Sequence, residues 1–226
     1  MSNFNQLKTV LDDISNRYSI NKEELYKLYI KEEETGQKVF EKNIKNAKSE
    51  IIFTDGSCQK KMCSLSVFFG INDKRNVGYV LDVERPTNQK AELYAILKAI
   101  EIVDTEKSYL IYTDSQYSIN CITKWNRNWI KNGWKTSKGG TVLNQEIIKP
   151  ILKLLKYKNV KFKHVRSHQK APEKHTNEYM MWYGNMMCDK MAQNAITKFN
   201  GNKIEPPTGE NDFEPKKKKS IKIYFE

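Results

Sequence analysis

The chain lacks what a membrane span, a zinc site or an exported leader would need. None of its 226 residues falls in an apolar run of about 18 or more, which argues against a spanning helix. Its four cysteines, Cys58, Cys63, Cys121 and Cys188, form no C-x-x-C pair, which argues against zinc. Cys121 and Cys188 sit in apolar helical patterns and read as core thiols. Cys58 and Cys63 can pair only where a hairpin between them permits it, and reduced thiols are expected. The first residues, Met1-Ser2-Asn3-Phe4-Asn5-Gln6, lack the basic-then-apolar order of a signal peptide. A soluble, intracellular chain with no membrane partner is expected. Acids are also in short supply: 27 Asp and Glu face 39 Lys and Arg, a net charge of +12. That excess favours a polyanionic partner, because each neutralised phosphate releases counterions. A solvated lysine-rich surface is the plain alternative.

The length suits one core of roughly 150 residues plus extensions. Residues 1–48 read as a small helical extension or linker. Phe4, Leu7, Val10, Leu11 and Ile14 recur at helical spacing, and a second helix follows Ser19-Ile20, with Asn21 and Glu24 as a capping pair. Residues 31–48 are charged and read as a polar helix or linker. In 49–200, Ile51–Asp55, Ser64–Phe69 and Val77–Val83 predict an antiparallel meander. A helix from Asn88, a strand at Tyr109–Thr113, helices over 115–133 and 143–156, a strand at Val160–Val165 and a last helix over 184–198 follow. Strands that give way to alternating helices indicate an α/β domain with a mixed sheet. Residues 201–226, with Pro206-Pro207-Thr208-Gly209 and Lys216–Lys219, predict a flexible basic tail.

Four acids fall where this pattern can bring them together. Asp55 and Asp114 follow apolar strands, and Glu92 and Asp189 lie in first helical turns. Each has an ordinary reading alone: Asp55-Gly56 as a turn, Glu92 as favourable first-turn charge, Asp114-Ser115 as a helix cap, Asp189 as a surface acid. Four converging carboxylates are costly unless a divalent metal holds them.

The flanking runs carry more. Phe53-Thr54-Asp55-Gly56-Ser57, Thr87-Asn88-Gln89-Lys90-Ala91-Glu92, Tyr112-Thr113-Asp114-Ser115-Gln116 and Gly184-Asn185-Met186-Met187-Cys188-Asp189, in that order, resemble ribonuclease H of the type 1 class. The resemblance runs from Ile51 to about Ala195. It implies a ribonuclease H-like five-stranded mixed sheet with flanking helices, here with an N-terminal helical extension. It implies an endonuclease that hydrolyses the RNA strand of RNA–DNA hybrids with two Mg2+ ions, for which Mn2+ can substitute. Asp55, Glu92, Asp114 and Asp189 would hold the metal. Val165-Arg166-Ser167-His168 matches the family's mobile histidine, a proton carrier near the leaving group. Gln169–Tyr183 is longer than the usual loop and contains His175, so either histidine is a candidate.

For the substrate, the resemblance assigns Asn88 and Gln89 to RNA 2′-hydroxyls and Arg85, Thr87 and Asn144 to a DNA-strand phosphate. Tyr117 and Trp129 would lie beside a DNA sugar. From Trp125 to Val142 there is no acid, and Trp125, Trp129 and Trp134 interleave with Arg127, Lys131, Lys135 and Lys138. This resembles the family's basic protrusion, and Trp125 and Trp129 at i, i+4 also suit a buried helix face. The loop at Cys58–Met62 lacks the glycine-rich or asparagine-bearing turn common there, and Gln59 is a candidate replacement.

The alternatives are a ribonuclease H-fold nuclease acting on DNA, of resolvase or integrase kind, and a catalytically silent hybrid-binding module. A proofreading exonuclease would carry Asp-x-Glu where this chain has Asp55-Gly56-Ser57. In the tail, Ile221, Tyr224 and Phe225 resemble a sliding-clamp plug without its leading glutamine. An import signal at Lys216–Lys219, a phosphate-holding arm and an added edge strand compete with it. A monomer is expected, with nuclear or viral-replication compartments compatible.

Overall fold

A computed structural model describes residues 22–45, 47–167, 169–174, 176–199, 201 and 203–204. The first predicted helix, His168, His175 and the tail motif Ile221, Tyr224 and Phe225 lie outside these residues.

Three strands, β1 (Glu50–Gln59), β2 (Met62–Phe68) and β3 (Val77–Leu81), form the antiparallel meander. Lys60 and Lys61 turn the first hairpin with φ of 48° and 66°. Positive φ at both positions matches the twist of a two-residue hairpin. Helix α1 (Lys22–Lys45) precedes the meander, and α2 (Asn88–Ile102) leads to β4 (Ser108–Thr113), which is parallel to β1. Next come α3 (Gln116–Asn120), a π-helical turn (Cys121–Trp125), α4 (Asn126–Lys131) and α5 (Gln145–Leu154). Strand β5 (Asn159–His164) is parallel to β4, and α6 (Asn177–Thr197) closes the order. The five-stranded sheet runs β3-β2-β1-β4-β5. Lys203 and Ile204 extend it at the β3 edge, where the Ile204 amide donates to Val80 O at 3.0 Å and Ile204 O accepts from Asp82.

Strand alternation divides the core between the two faces of the sheet. Ile52, Leu65, Val67 and Ile111 pack with Leu93, Ile96, Leu97 and Ile100 of α2 and with Ile147, Ile148 and Ile151 of α5. On the other face, Phe53, Phe68 and Tyr112 meet Met180 and Cys188 of α6 and Phe40 of α1. Buried Lys158, at the entrance to β5, caps the end of α2 by donating to Ile100 O (2.6 Å) and Val103 O (2.8 Å). It satisfies carbonyls that the helix itself leaves open.

Four expectations need correction. Residues 31–48 are not simply polar: α1 is continuous to Lys45, and fully buried Phe40 packs on Phe53, Phe68 and Tyr183 with ring centroids 5.0–6.1 Å away. The helix predicted over 115–133 forms as one run from Gln116 to Lys131, but it is not regular, because a π-turn lies within it at Cys121–Trp125. Asn126 Nδ2 donates to Cys121 O (3.2 Å) and Ile122 O (2.6 Å), so a side chain enters the ladder and the turn widens. The last helix begins at Asn177, not 184, because Thr176 caps it by accepting from Tyr179 N. Finally, Cys58 and Cys63 are joined by a disulfide, since the hairpin puts them directly opposite with Cα atoms 4.1 Å apart.

Candidate active site

The site is built where β1 and β4 end and the first turns of α2 and the middle of α6 approach them. Asp55 lies on the α6 face of β1, opposite Ser66. Gly56 faces the other way, and any Cβ there would run into the main chain of Ala91 and Glu92. Glycine therefore lets the start of α2 rest on β1, which carries Glu92 to Asp55. Thr87 caps this helix by accepting from Lys90 N at 3.2 Å.

Asp114 follows β4, whose parallel register with β1 pairs Thr113 with Thr54 and so ends both strands at one level. The third contributing element, α6, is stapled to β1 and β2 by buried polar groups. The Ser64 hydroxyl donates to Ala192 O and the Ser66 hydroxyl to Cys188 O, both at 2.8 Å, and the Cys188 thiol donates to Phe53 O at 3.3 Å. Gly184 lets the helix lie against the Phe53 ring.

Carboxylate oxygens of Asp55, Glu92 and Asp114 lie within 4.8 Å of one another. Asp189 lines the same cleft, of about 490 Å³, but stays outside that tight group, and its Oδ1 accepts from Gln193 Nε2 at 2.7 Å. The electrostatic cost is large. Burial first, then Asp114 and Asp189, push Asp55 up to about 7. Burial, then Asp55 and Asp114, push Glu92 well above the carboxylate range. The Gly56 amide opposes both shifts without cancelling them. Glu92 Oε2 is buried with no hydrogen-bond partner. A buried acceptor without a donor, inside a cluster of like charge, is the environment that a divalent cation with hard oxygen ligands relieves. The donor set therefore fits a divalent metal.

Among the other predicted residues, Asn88 is pinned by its Oδ1 accepting from the Cys58 amide at 2.9 Å, and both line the cleft. Gln59 lines it too, whereas Gln89 is exposed on the outside of α2. Asn144 begins α5 in the left-handed region, φ 59°, and its Nδ2 donates to Tyr117 Oη at 3.0 Å. Lys90 ties the two helix starts together, with its Nζ 3.7 Å from Glu146. Arg85 is exposed just ahead of Thr87, with φ 50°.

Tyr117, Trp125, Trp129 and Trp134 form a row with successive centroids 6.0, 5.8 and 6.4 Å apart. Trp129 packs partly on the core while Trp125 is 40% exposed, so the row is both helix face and surface. Lys149 Nζ sits 4.7 Å over the Trp134 ring, and Arg127, Lys131 and Lys135 are exposed around the row. His168 lies outside the described residues, but its sequence neighbours Ser167 and Gln169 both line the cleft.

Trp182 and Asn185 were not singled out from the sequence. Both line the cleft, and Asn185 Oδ1 is buried without a partner. They lie seven and four residues before Asp189, a helical stripe that becomes visible once α6 is begun at Asn177.

The family model described as RNase H matches residues 47–197. A human protein named ribonuclease H1 is 38% identical over 125 residues, 52% of this chain and 43% of that protein. A Schizosaccharomyces pombe protein named ribonuclease H is 32% identical, over 70% of this chain and 56% of that protein. The chain thus spans about half the length of these two relatives. It matches nearly all of a Caldicellulosiruptor saccharolyticus protein named ribonuclease H, at 34% identity over 66% of this chain and 97% of that protein. The solved PFV RNase H domain shares the fold, with a TM-score of 0.50 and 22% identity over 66% of this chain and 95% of that one. A meander feeding parallel strands, with acids brought to one sheet edge by both faces, is thus accounted for: the chain belongs to the RNase H family.

Proposed function

We propose that this protein is an endonuclease that hydrolyses the RNA strand of RNA–DNA hybrids. The observation that carries the proposal is the buried Asp55–Glu92–Asp114 cluster with its unpartnered Glu92 oxygen, set beside Asp189 in one cleft. Asp55, Glu92, Asp114 and Asp189 would hold two Mg2+ ions, which supply a hydroxide at neutral pH and stabilise the leaving oxygen.

The chain's own residues do the rest. Burial and mutual repulsion raise Asp55 and Glu92 above the ordinary carboxylate range, so metal binding and proton release are linked at this cluster. Asn88, fixed by the Cys58 amide, and Gln89 meet RNA 2′-hydroxyls, the group that separates RNA from DNA. Arg85, Thr87 and Asn144 take a DNA-strand phosphate at the paired starts of α2 and α5. Tyr117 and Trp129 stand against a DNA sugar, and Arg127, Lys131 and Lys135 supply sequence-independent attraction. His168 carries a proton at the leaving oxygen, a role supported by its neighbours on the cleft wall. The tail reading, in which Ile221, Tyr224 and Phe225 dock on a sliding clamp, is supported by their spacing alone.

The test is cleavage of labelled RNA–DNA hybrid against duplex DNA and duplex RNA, with Mg2+ and with chelator. Metal-dependent cuts confined to the RNA strand are expected, with Asp114→Asn reducing the rate on the order of 100-fold or more. Cleavage of duplex DNA instead would favour the resolvase-like reading. Tight hybrid binding without cleavage would favour the silent module.

A further inference from the structure

The first turns of α6 project past Gly184 beside the cleft. Sequence reading assigns them to an extended loop, yet they are helix. Trp182, Asn185, Met186, Asp189 and Gln193 lie along one stripe of this helix and line the cleft together. Trp182 is the stripe's N-terminal member. Its indole Nε1–H donates to the main-chain carbonyl of Gln169 at 3.0 Å. Gln169, with Arg166 and Ser167, also lines the cleft. Indole has a single polar atom, a donor, and here it is directed to the backbone of the segment that leaves β5.

Trp182 is itself braced. Its ring lies 5.5 Å from that of Tyr179, which is buried. Tyr179 in turn abuts Gly36 of α1, where a Cβ would meet the tyrosine hydroxyl. A chain of contacts therefore runs from the N-terminal helix through Tyr179 and Trp182 to the β5–α6 segment.

We propose that Trp182 is a positioning residue for hybrid cleavage, its indole N–H fixing the backbone of Gln169 at the lining of the carboxylate cleft. Because His168 stands between Ser167 and Gln169 in sequence, this hydrogen bond and the proton carrier share one short stretch of chain. The role deepens the functional reading above and rests on it.

Trp182→Phe keeps a ring against Tyr179 and removes only the N–H. A positioning role predicts that kcat falls about 5–10-fold, the worth of one hydrogen bond. Affinity for hybrid, measured with Ca2+ in place of Mg2+ so that no cleavage occurs, should change less than about twofold, and Tm should hold. A helix-packing role predicts the opposite split. The double variant Trp182→Phe, His168→Ala should be no slower than His168→Ala alone, since the hydrogen bond acts through that stretch.

Wild-type kcat in Trp182→Phe, or losses that multiply in the double variant, would overturn the proposal. An unchanged rate in His168→Ala would overturn the coupling to that residue. Failure of the unmutated chain to cut hybrid would overturn the functional reading and this proposal with it. Full-rate cutting by Trp182→Phe beside an active parent would overturn this proposal alone.

Discussion

Helices α2 and α6 deliver acids to the same cleft from opposite faces of the sheet, and they are seated in different ways. The buried side of α2 is almost wholly aliphatic, with Leu93, Ile96, Leu97 and Ile100 sunk among Ile52, Leu65, Ile147 and Ile151. The seat of α6 is mixed: aromatic rings and methionines, with the Ser64, Ser66 and Cys188 hydrogen bonds running between helix and strands. Their acids differ accordingly. Glu92 is driven into the tight cluster, and its charge is suppressed by burial. Asp189 lines the cleft outside that cluster, in contact with its own helix through Gln193. A close-packed aliphatic seat can hold a group in an unfavourable place because moving it would open a cavity. A hydrogen-bonded seat fixes direction but not so short a distance.

That contrast can be broken most directly at the seats. Leu97→Ala should lower stability by about 2–5 kcal/mol through the cavity it leaves. Ser66→Ala should cost about 0.5–1.5 kcal/mol by removing one buried hydrogen bond to a carbonyl that keeps its helical partner. Chemical denaturation of both variants decides, and an equal or larger loss for Ser66→Ala would erase the distinction.

The acids come next. Glu92→Gln should cut the hybrid-cleavage rate on the order of 100-fold or more, about 2.7 kcal/mol of barrier. Asp189→Asn, outside the cluster, should cost only about tenfold and should recover partly at higher metal concentration. Matching losses in steady-state rates would show that the two acids are not distinguished by their seats.

The pH dependence of the metal-free protein sharpens the comparison further. Asp55 titrates at about 7 in the folded chain against an ordinary 3.8, so between those values the folded state binds more protons than the unfolded one. Stability therefore falls as pH rises from about 4 to 7, by an amount on the order of 4 kcal/mol. Asp55→Asn should flatten that slope, and saturating divalent metal should remove it. Melting curves at pH 5 and pH 7.5, with chelator and with metal, test the sign. A metal-free protein that is more stable at the higher pH would contradict the burial of Asp55.

The smallest effect is expected at the outer edge of α2. Arg85→Ala should weaken hybrid binding by about 3–10-fold and make its salt dependence shallower, with turnover at saturation nearly unchanged. Titrations at two salt concentrations read both quantities. An unchanged slope would detach Arg85 from the phosphate pocket.

Much of this was open to reading before any coordinates. Alternation of apolar residues marks the meander strands, and the 3.6-residue recurrence of Leu93, Ile96, Leu97 and Ile100 marks α2. Short motifs around Asp55, Glu92, Asp114 and Asp189 carry the family resemblance by their order and flanking residues, although Asp189 falls mid-helix and not in a first turn. Phe40 was hidden in a lysine- and glutamate-rich stretch, since one buried ring per turn barely raises an apolar average. The start of α6 is hidden because Tyr179-Met180-Met181-Trp182-Tyr183 is an unbroken apolar run without helical alternation, and Gly184 reads as a breaker. The π-turn before Asn126 depends on where one amide side chain turns, which periodicity does not register.

Local patterning, then, determined the kinds and order of elements, the basic character and the four acids, because these depend on neighbours within a turn or a strand. Tertiary structure alone decided how closely the acids meet and what that costs them, because those depend on Gly56 admitting the α2 backbone and on burial from both faces of the sheet. It also decided the Cys58–Cys63 pairing, the docking of α1 through Phe40 and the reach of Trp182 to Gln169. Each of these is set by register or by contact between elements, and neither is written in the spacing of residues along the chain.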